Sequence, residues 1–354
     1  MTLTRALNCQ DQLWREKARN QSFIHGDRNT AYFYRLSRIK STTKPISLLL
    51  GGQVRITDSR DIETHAVNYF QDIFGTNNVC ISNDLVSRTI PTMVTTEENI
   101  VLTVMPSFDD IKKTVFDMNT DGAPGSDGFG IHFFQHFWDI VAADVVSSAQ
   151  EFFCTGVIIP NLNSNVLVLI PKVPGAATMA DFRPIALANF QFKIITKILA
   201  DRLAIICMRI ISPQQHGFVR DRHISDCVIL ASEMVNLLTK KQFGGNIAIK
   251  VDIRKAFDTL DWNFLVAVLR KFGFNTLFCD WILAILRSAR LSILVNGNVV
   301  GFFPCNSGVR QGDPLSPLLF CLAEEVLLLW CLLTDTYSLC RRCFHLLCGF
   351  KEEH

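Results

Sequence analysis

Two carboxylates, Asp252 and Asp258, close a run in which Ile247, Ile249 and Val251 alternate with Ala248, Lys250 and Asp252. That alternation predicts a half-buried strand over Asn246–Asp252. An acid at the end of an apolar strand costs free energy unless it holds something, so Asp252 either takes a metal ion or caps the following turn. A second group is cationic. Lys172 ends the strand-like run Asn165–Ile170 and Arg183 begins the return after a loop, Val173–Asp181. Two fixed cations on such a hairpin suit a triphosphate, or are surface charge on a loop. A third is the turn Ala123-Pro-Gly-Ser-Asp-Gly-Phe129, in which Gly125, Asp127 and Gly128 expose backbone N–H groups that phosphate oxygens could take. The last is Gly308-Val-Arg-Gln-Gly-Asp-Pro314, a turn before a strongly apolar helix.

These groups act only if elements hold them. Two basic helices are expected over 13–40, split at His25-Gly26-Asp27, then a hairpin over Leu48–Ile56 and an amphipathic helix over Asp61–Phe74. Residues 75–105 are polar and read as an irregular linker. Helices follow over Ser107–Met118, with Ser107 as cap, and over 131–154, an aromatic core segment. After the Lys172/Arg183 hairpin come helices Asn189–Ile206 and Ser225–Leu238, the second preceded by Arg220 and Arg222. Asp261 and Gly273 bound a helix, Thr276–Ser288 is another, and Asn296-Gly297 joins strands Leu291–Val295 and Val299–Phe303. Pro314 and Pro317 start the helix Leu318–Leu329.

Asn246–Asp258 and Gly308–Phe320 together resemble the palm motifs of reverse transcriptases. With Ile170-Pro171-Lys172 and Phe182-Arg183-Pro184-Ile185 the resemblance narrows to the enzyme of non-LTR (LINE-type) retrotransposons of a plant-like kind, and it runs from about Trp14 to Leu328. It implies an α+β fold: right-hand polymerase fingers and a partial palm, mostly helical with antiparallel hairpins, and no thumb. The expected segments are a basic extension and linker over 1–105, fingers over 106–243, partial palm over 244–330 and an aberrant tail over 331–354.

The same resemblance implies RNA-directed DNA polymerisation, in which two Mg²⁺ ions assist transfer of a deoxynucleotide to a primer 3′-hydroxyl on an RNA template. Asp252 would be the catalytic, metal-bridging acid, aided by the carbonyl of Ile253, with Asp258 a supporting acid. Lys172 and Arg183 would hold the triphosphate, Phe257 would pack under the sugar and exclude a 2′-hydroxyl, and Gln311 and Gly312 would line the nucleotide pocket. Gly125, Asp127 and Gly128 would lie against the template, and Arg220 and Arg222 are candidates for its backbone. The family's aromatic-Ala-Asp-Asp motif does not follow the helix at 318–329; Asp335 stands alone there. The resemblance therefore implies a chain that begins after the endonuclease, stops before the thumb and does not copy. A remnant that only binds nucleic acid, or a decayed reading frame, is the alternative.

Composition agrees with a nucleic-acid partner only locally. The net charge of the 354 residues is +2, but residues 1–48 carry nine Lys and Arg against three acids. The twelve cysteines are scattered through apolar runs, which fits reduced thiols in an intracellular protein of nucleus or cytoplasm. Cys340, Cys343, His345 and Cys348 are spaced too tightly for a usual zinc site. Leu315–Leu333 is apolar, but Pro317, Glu324 and Glu325 argue for a buried helix, not a membrane span.

Overall fold

The computed structural model describes residues 46–52, 54–75, 84–120, 122–238, 240, 253 and 255–333. The basic helices expected over 13–40, the strand over Asn246–Asp252 and the tail cysteines lie outside them. The chain divides into two units, 1–62 and 63–354. In the first, β1 (Leu49–Gly51) and β2 (Val54–Ile56) form the expected hairpin. Asp58 then accepts the N–H groups of Arg60 and Asp61, opening α1 (Ser59–Gly75).

The second unit is a mixed helix-and-sheet structure. Where a linker was expected, the chain forms α2 (Leu85–Thr89) and α3 (Thr96–Thr103). Thr95 and Glu98 close a reciprocal capping box that fixes the start of α3. Ser107 and Asp110 do the same for α4 (Phe108–Asp117), as the Ser107 cap predicted. The aromatic segment breaks at Phe137 into α5 (Ile131–His136) and α6 (Trp138–Thr155). Phe134, Trp138, Phe152 and Phe153 are buried, but Phe137 stays 41% exposed, so the segment is not uniformly core.

Next come β3 (Ser164–Pro171), β4 (Phe182–Ala188), α7 (Phe190–Ile210), α8 (Ile224–Leu238), the short α9 (Ala256–Thr259), α10 (Trp262–Phe272) and α11 (Thr276–Arg287). β5 (Arg290–Val295), β6 (Asn298–Pro304) and α12 (Ser316–Leu333) complete the order. α10 begins and ends where its sequence predicted. Asp261 Oδ1 accepts the Phe264 N–H at 2.7 Å, and Gly273 leaves the helix at φ 98°. Its Trp262, Leu265, Val268 and Leu269 are buried, each contributing roughly 1.5–3 kcal/mol by leaving water.

The sheet runs β4-β3-β5-β6. Both expected hairpins are antiparallel, and Asn296 and Gly297 turn the second at φ 50° and 92°. The two hairpins join through a parallel pair, β3 with β5, which no local pattern announced. Asn163 fixes that junction: its amide donates to Ile285 O and Ser288 Oγ, both at 2.8 Å, and its carbonyl accepts Arg290 N–H. α7 is the hub, with Phe192, Leu199 and Leu203 fully buried as it packs on α3, α4, α6 and α12. α12 is buried along Leu318–Ala323, as expected, and among the described residues no helix is long and apolar enough to cross a membrane.

Candidate nucleotide and nucleic-acid site

The sheet brings Lys172 and Arg183 to one end of the β3–β4 hairpin, where Ile170 faces Arg183 in the register. Asp181 closes the intervening loop by accepting from Ala177 N, Thr178 N and Thr178 Oγ1, bonds that hold its carboxyl below the usual range. Lys172 is exposed, and its ammonium donates to Ala180 O at 2.9 Å across that loop. Arg183 is half-buried beside it on β4.

The Gln311-Gly312 turn docks on the same strand. Ala186 N–H donates to Gln311 O at 2.9 Å. Gly312 has φ 107°, and a Cβ there would stand 2.7 Å from Ala186 O. The glycine is therefore required by the approach of β4, where the sequence had suggested only room for a nucleotide. The turn continues into Gly308 and Val309, which accept α9: Gly308 N–H donates to Leu260 O, and Val309 N–H to Phe257 O. Phe257 stacks on Phe320 of α12, with centroids 4.4 Å apart. Thus Lys172, Arg183, Phe257, Gln311 and Gly312, widely separated in sequence, belong to one connected region.

Asp258 is buried behind it, and burial pushes its carboxyl up to about 6, while Lys255 and Lys172 oppose the shift. Lys255 itself sits at φ 53° and donates to Tyr69 Oη at 2.7 Å. Of the proposed metal ligands, Ile253 is 45% exposed and Asp252 lies outside the described residues. Among the described residues no group of three His, Cys, Asp or Glu could hold a metal ion, so these residues alone do not fit a two-metal centre. A cavity of about 400 Å³ lies elsewhere, lined by Asp261, Trp262, Arg287 and Arg290 among others, and touches none of the site residues above.

Two expected nucleic-acid contacts have other work. The Gly125–Gly128 turn exists, but its amides at 127, 128 and 129 are already taken, by Asn189 Oδ1, Gly125 O and Asp127 Oδ1. They cannot also receive phosphate oxygens, contrary to the expectation from sequence. Gly125 is pressed onto the β4–α7 junction, where a Cβ would stand 2.5 Å from Asn189 N. What the turn still offers is the exposed Asp127 and Gly128. Arg222, expected at the template backbone, instead donates to four carbonyls, of Met208, Ile211, Ser212 and Gln215, and so closes the end of α7. Arg220 remains exposed.

Sequence reasoning missed the polar groups that lock this region. Arg310 is buried between Asn163 Oδ1 at 2.7 Å, Asp313 Oδ2 at 3.4 Å and the ring of Phe192. An Arg and an Asp three residues apart in an otherwise apolar turn was the available signal. Glu325 accepts from Ser212 N and Oγ, and Glu324 from Gln215 Nε2 at 3.4 Å. These acids of α12 thus pin the 212–215 loop. Burial raises both, Glu324 to about 7. A carboxyl raised on folding stabilises fully below its unfolded value near 4.5, and the contribution is lost as pH rises through about 7. The melting temperature is therefore expected to fall between pH 5 and pH 8, and Glu324→Gln to flatten that fall. An unchanged slope in the variant would assign it to other groups.

Residues 170–337 match the family described as reverse transcriptase (RNA-dependent DNA polymerase). The chain is 29% identical over 322 residues, 90% of its length, to the transposon TX1 uncharacterized 149 kDa protein of Xenopus laevis, of which it covers 24%. It is 32% identical over 161 residues to a retrovirus-related Pol polyprotein from type-1 retrotransposable element R2 of Nasonia vitripennis, covering 45% of this chain and 15% of that one. The R2DM polyprotein of Drosophila melanogaster is likewise 32% identical over 161 residues, again covering 15% of that protein. The chain spans about a quarter or less of the length of these curated relatives.

Proposed function

We propose that this chain, which carries a reverse-transcriptase domain of the non-LTR retrotransposon kind, is the nucleotide- and template-holding part of an RNA-directed DNA polymerase. The observation that carries the reading is the linkage of Arg183 on β4, beside Lys172, to the Gln311-Gly312 turn, which docks three residues along that strand at Ala186, and of that turn through Val309 to Phe257. In this reading β3, β4 and the helices around α7 belong to fingers, and β5, β6 and α10–α12 to a palm. Lys172 and Arg183 bind the triphosphate of a deoxynucleotide, charge against charge. Phe257 is braced by Phe320; in this reading it supports the sugar and excludes a 2′-hydroxyl. RNA template and DNA primer are the partners, with Arg220 and Asp127 on the template side.

Reverse transcriptases use a divalent metal. Magnesium would be held by Asp252 with the carbonyl of Ile253, and it would supply charge stabilisation at the reacting phosphate. The acids of α12 are engaged with Ser212 and Gln215 and are not offered as further ligands. In this reading the chain binds RNA and nucleotide without copying. Primer extension on an RNA template with Mg²⁺ and deoxynucleotides, beside Asp252→Asn, tests this. The expected result is RNA retained and no product. Extension that Asp252→Asn abolishes would show that other carboxylates complete the site and would overturn the inactive reading. A protein that binds neither RNA nor nucleotide would overturn the function itself.

A further inference from the structure

Phe218 holds a backbone conformation that its side chain disfavours. Its φ is 60°, in the left-handed region, where a bulky residue crowds its own backbone. The loop around it is fastened so that this conformation persists. Arg222 donates to Ser212 O and Gln215 O, and Glu325 accepts Ser212 N–H. The Cys321 thiol donates to Gly217 O at 3.3 Å, one residue before the phenylalanine. Backbone strain of this kind survives only where the surroundings over-determine it, and it fixes the place of the side chain.

That place is beside Phe257. The two rings stand 6.1 Å apart at 76°, close to a T-shaped contact. Phe320 stacks on the same Phe257 ring, with centroids 4.4 Å apart and planes 19° from parallel. Phe257 is therefore held by two rings in two different orientations. α12 serves both contacts: Phe320 carries the stack, and Cys321 and Glu325 hold the loop that presents Phe218. Phe218 itself stays 41% exposed, so the strained turn does not hide its ring from water; it sets that ring against Phe257. A ring excludes a hydroxyl only if it does not yield. Parallel rings are stable over a range of offsets, so a stack alone lets its partner slide, and a third ring set across it adds an independent restraint.

We propose that Phe218 is a positioning residue for sugar recognition: its contact fixes the ring of Phe257, and the preference for deoxynucleotides over ribonucleotides depends on it. The proposal rests on the assignment of Phe257 to the sugar and adds the residue that keeps it in place. The test uses the whole chain as wild type, Phe218→Gly, Phe218→Tyr, Phe257→Ala and the double variant Phe218→Gly with Phe257→Ala. Glycine takes the left-handed φ without strain, so Phe218→Gly removes the ring and leaves the turn. Dissociation constants are measured for a fluorescent deoxynucleoside triphosphate and for the matching ribonucleoside triphosphate, with Mg²⁺ and an RNA template annealed to a DNA primer.

Phe218→Gly is expected to lower the deoxy-over-ribo affinity ratio roughly three- to tenfold, the equivalent of one aromatic pair, chiefly by tightening the ribonucleotide. Phe218→Tyr keeps the ring and should keep the ratio near wild type. The double variant should show the ratio of Phe257→Ala alone, because Phe218 acts through Phe257. An unchanged ratio in Phe218→Gly overturns the proposal. Equal weakening of both nucleotides also overturns it, since a purely structural ring would give that result. A double variant whose ratio falls by the product of the two single losses overturns it too, by placing Phe218 on the ligand directly. Wild type without a preference, or a Phe257→Ala variant that keeps it, overturns the sugar reading of Phe257 and this proposal together.

Discussion

Arg310→Met is expected to lower the stability of the folded chain by about 3–5 kcal/mol, the usual cost of removing one partner from a buried ion pair. The geometry places Arg310 in that regime. Its side chain is 6% exposed and that of Asp313 3%, so water cannot take over the lost contact. The substitution strips Asp313 Oδ2 of its cation, leaving that carboxylate with the Leu315 N–H on Oδ1. It also removes one of two donors to Asn163 Oδ1, leaving Asn165 Nδ2 at 3.1 Å, and Asn163 is the residue joining β3 to the end of α11. Methionine fills much of the space over Phe192, so cavity formation is not the main term. Adding Asp313→Asn to Arg310→Met should recover part of the loss, because the uncompensated charge is gone. Chemical denaturation of the two variants measures both numbers. A single variant within 1 kcal/mol of wild type would mean that the pair is solvated.

Much of this architecture is legible locally. Asn296-Gly297 announced its hairpin because that turn needs two positive φ values, and Asp261 with Gly273 bounded α10 through their backbone preferences. α3 was missed although Thr95 and Glu98 spell out its capping box. Its face gave no period, since Ile100 and Val101 are more than half exposed and only Leu102 is buried. The parallel pairing of β3 with β5 joins segments more than a hundred residues apart, and nothing in either strand specifies the other. Side-chain duties were the least legible. Arg222 and Arg220 look alike in sequence, and only the fold shows that one reaches four carbonyls at the end of α7 while the other faces solvent. The motif residues Lys172, Arg183, Phe257, Gln311 and Gly312 could be named from the resemblance to reverse-transcriptase motifs. The buried contacts that hold them in register could not, because Asn163, Arg310 and Glu325 act on partners distant in the chain.

Gly308→Ala is expected to cost at least about 3 kcal/mol and to loosen Phe257 from its place beside the Gln311-Gly312 turn. Gly308 has φ 80°, and a Cβ there would stand 2.4 Å from Asp258 O and 2.7 Å from Asp258 C. Those are backbone atoms of α9, which cannot rotate aside as a flexible side chain would. The contact is also where three hydrogen bonds meet: Gly308 N–H to Leu260 O, Val309 N–H to Phe257 O, and Trp262 Nε1–H to Gly308 O. Moving α9 away weakens all three and carries Phe257 with it. Gly297→Ala is the control. Gly297 shares a positive φ, 92°, but nothing lies within 4 Å of its added Cβ, so it should show only the backbone strain of about 1–2 kcal/mol. The excess in Gly308→Ala then reports the clash itself. If nucleotide binding depends on Phe257, Gly308→Ala should weaken it under conditions where the protein is still folded, and Gly297→Ala should leave it unchanged. Equal stability losses in the two variants would show that α9 yields to the added methyl, and that the seat of Phe257 is not fixed by this glycine.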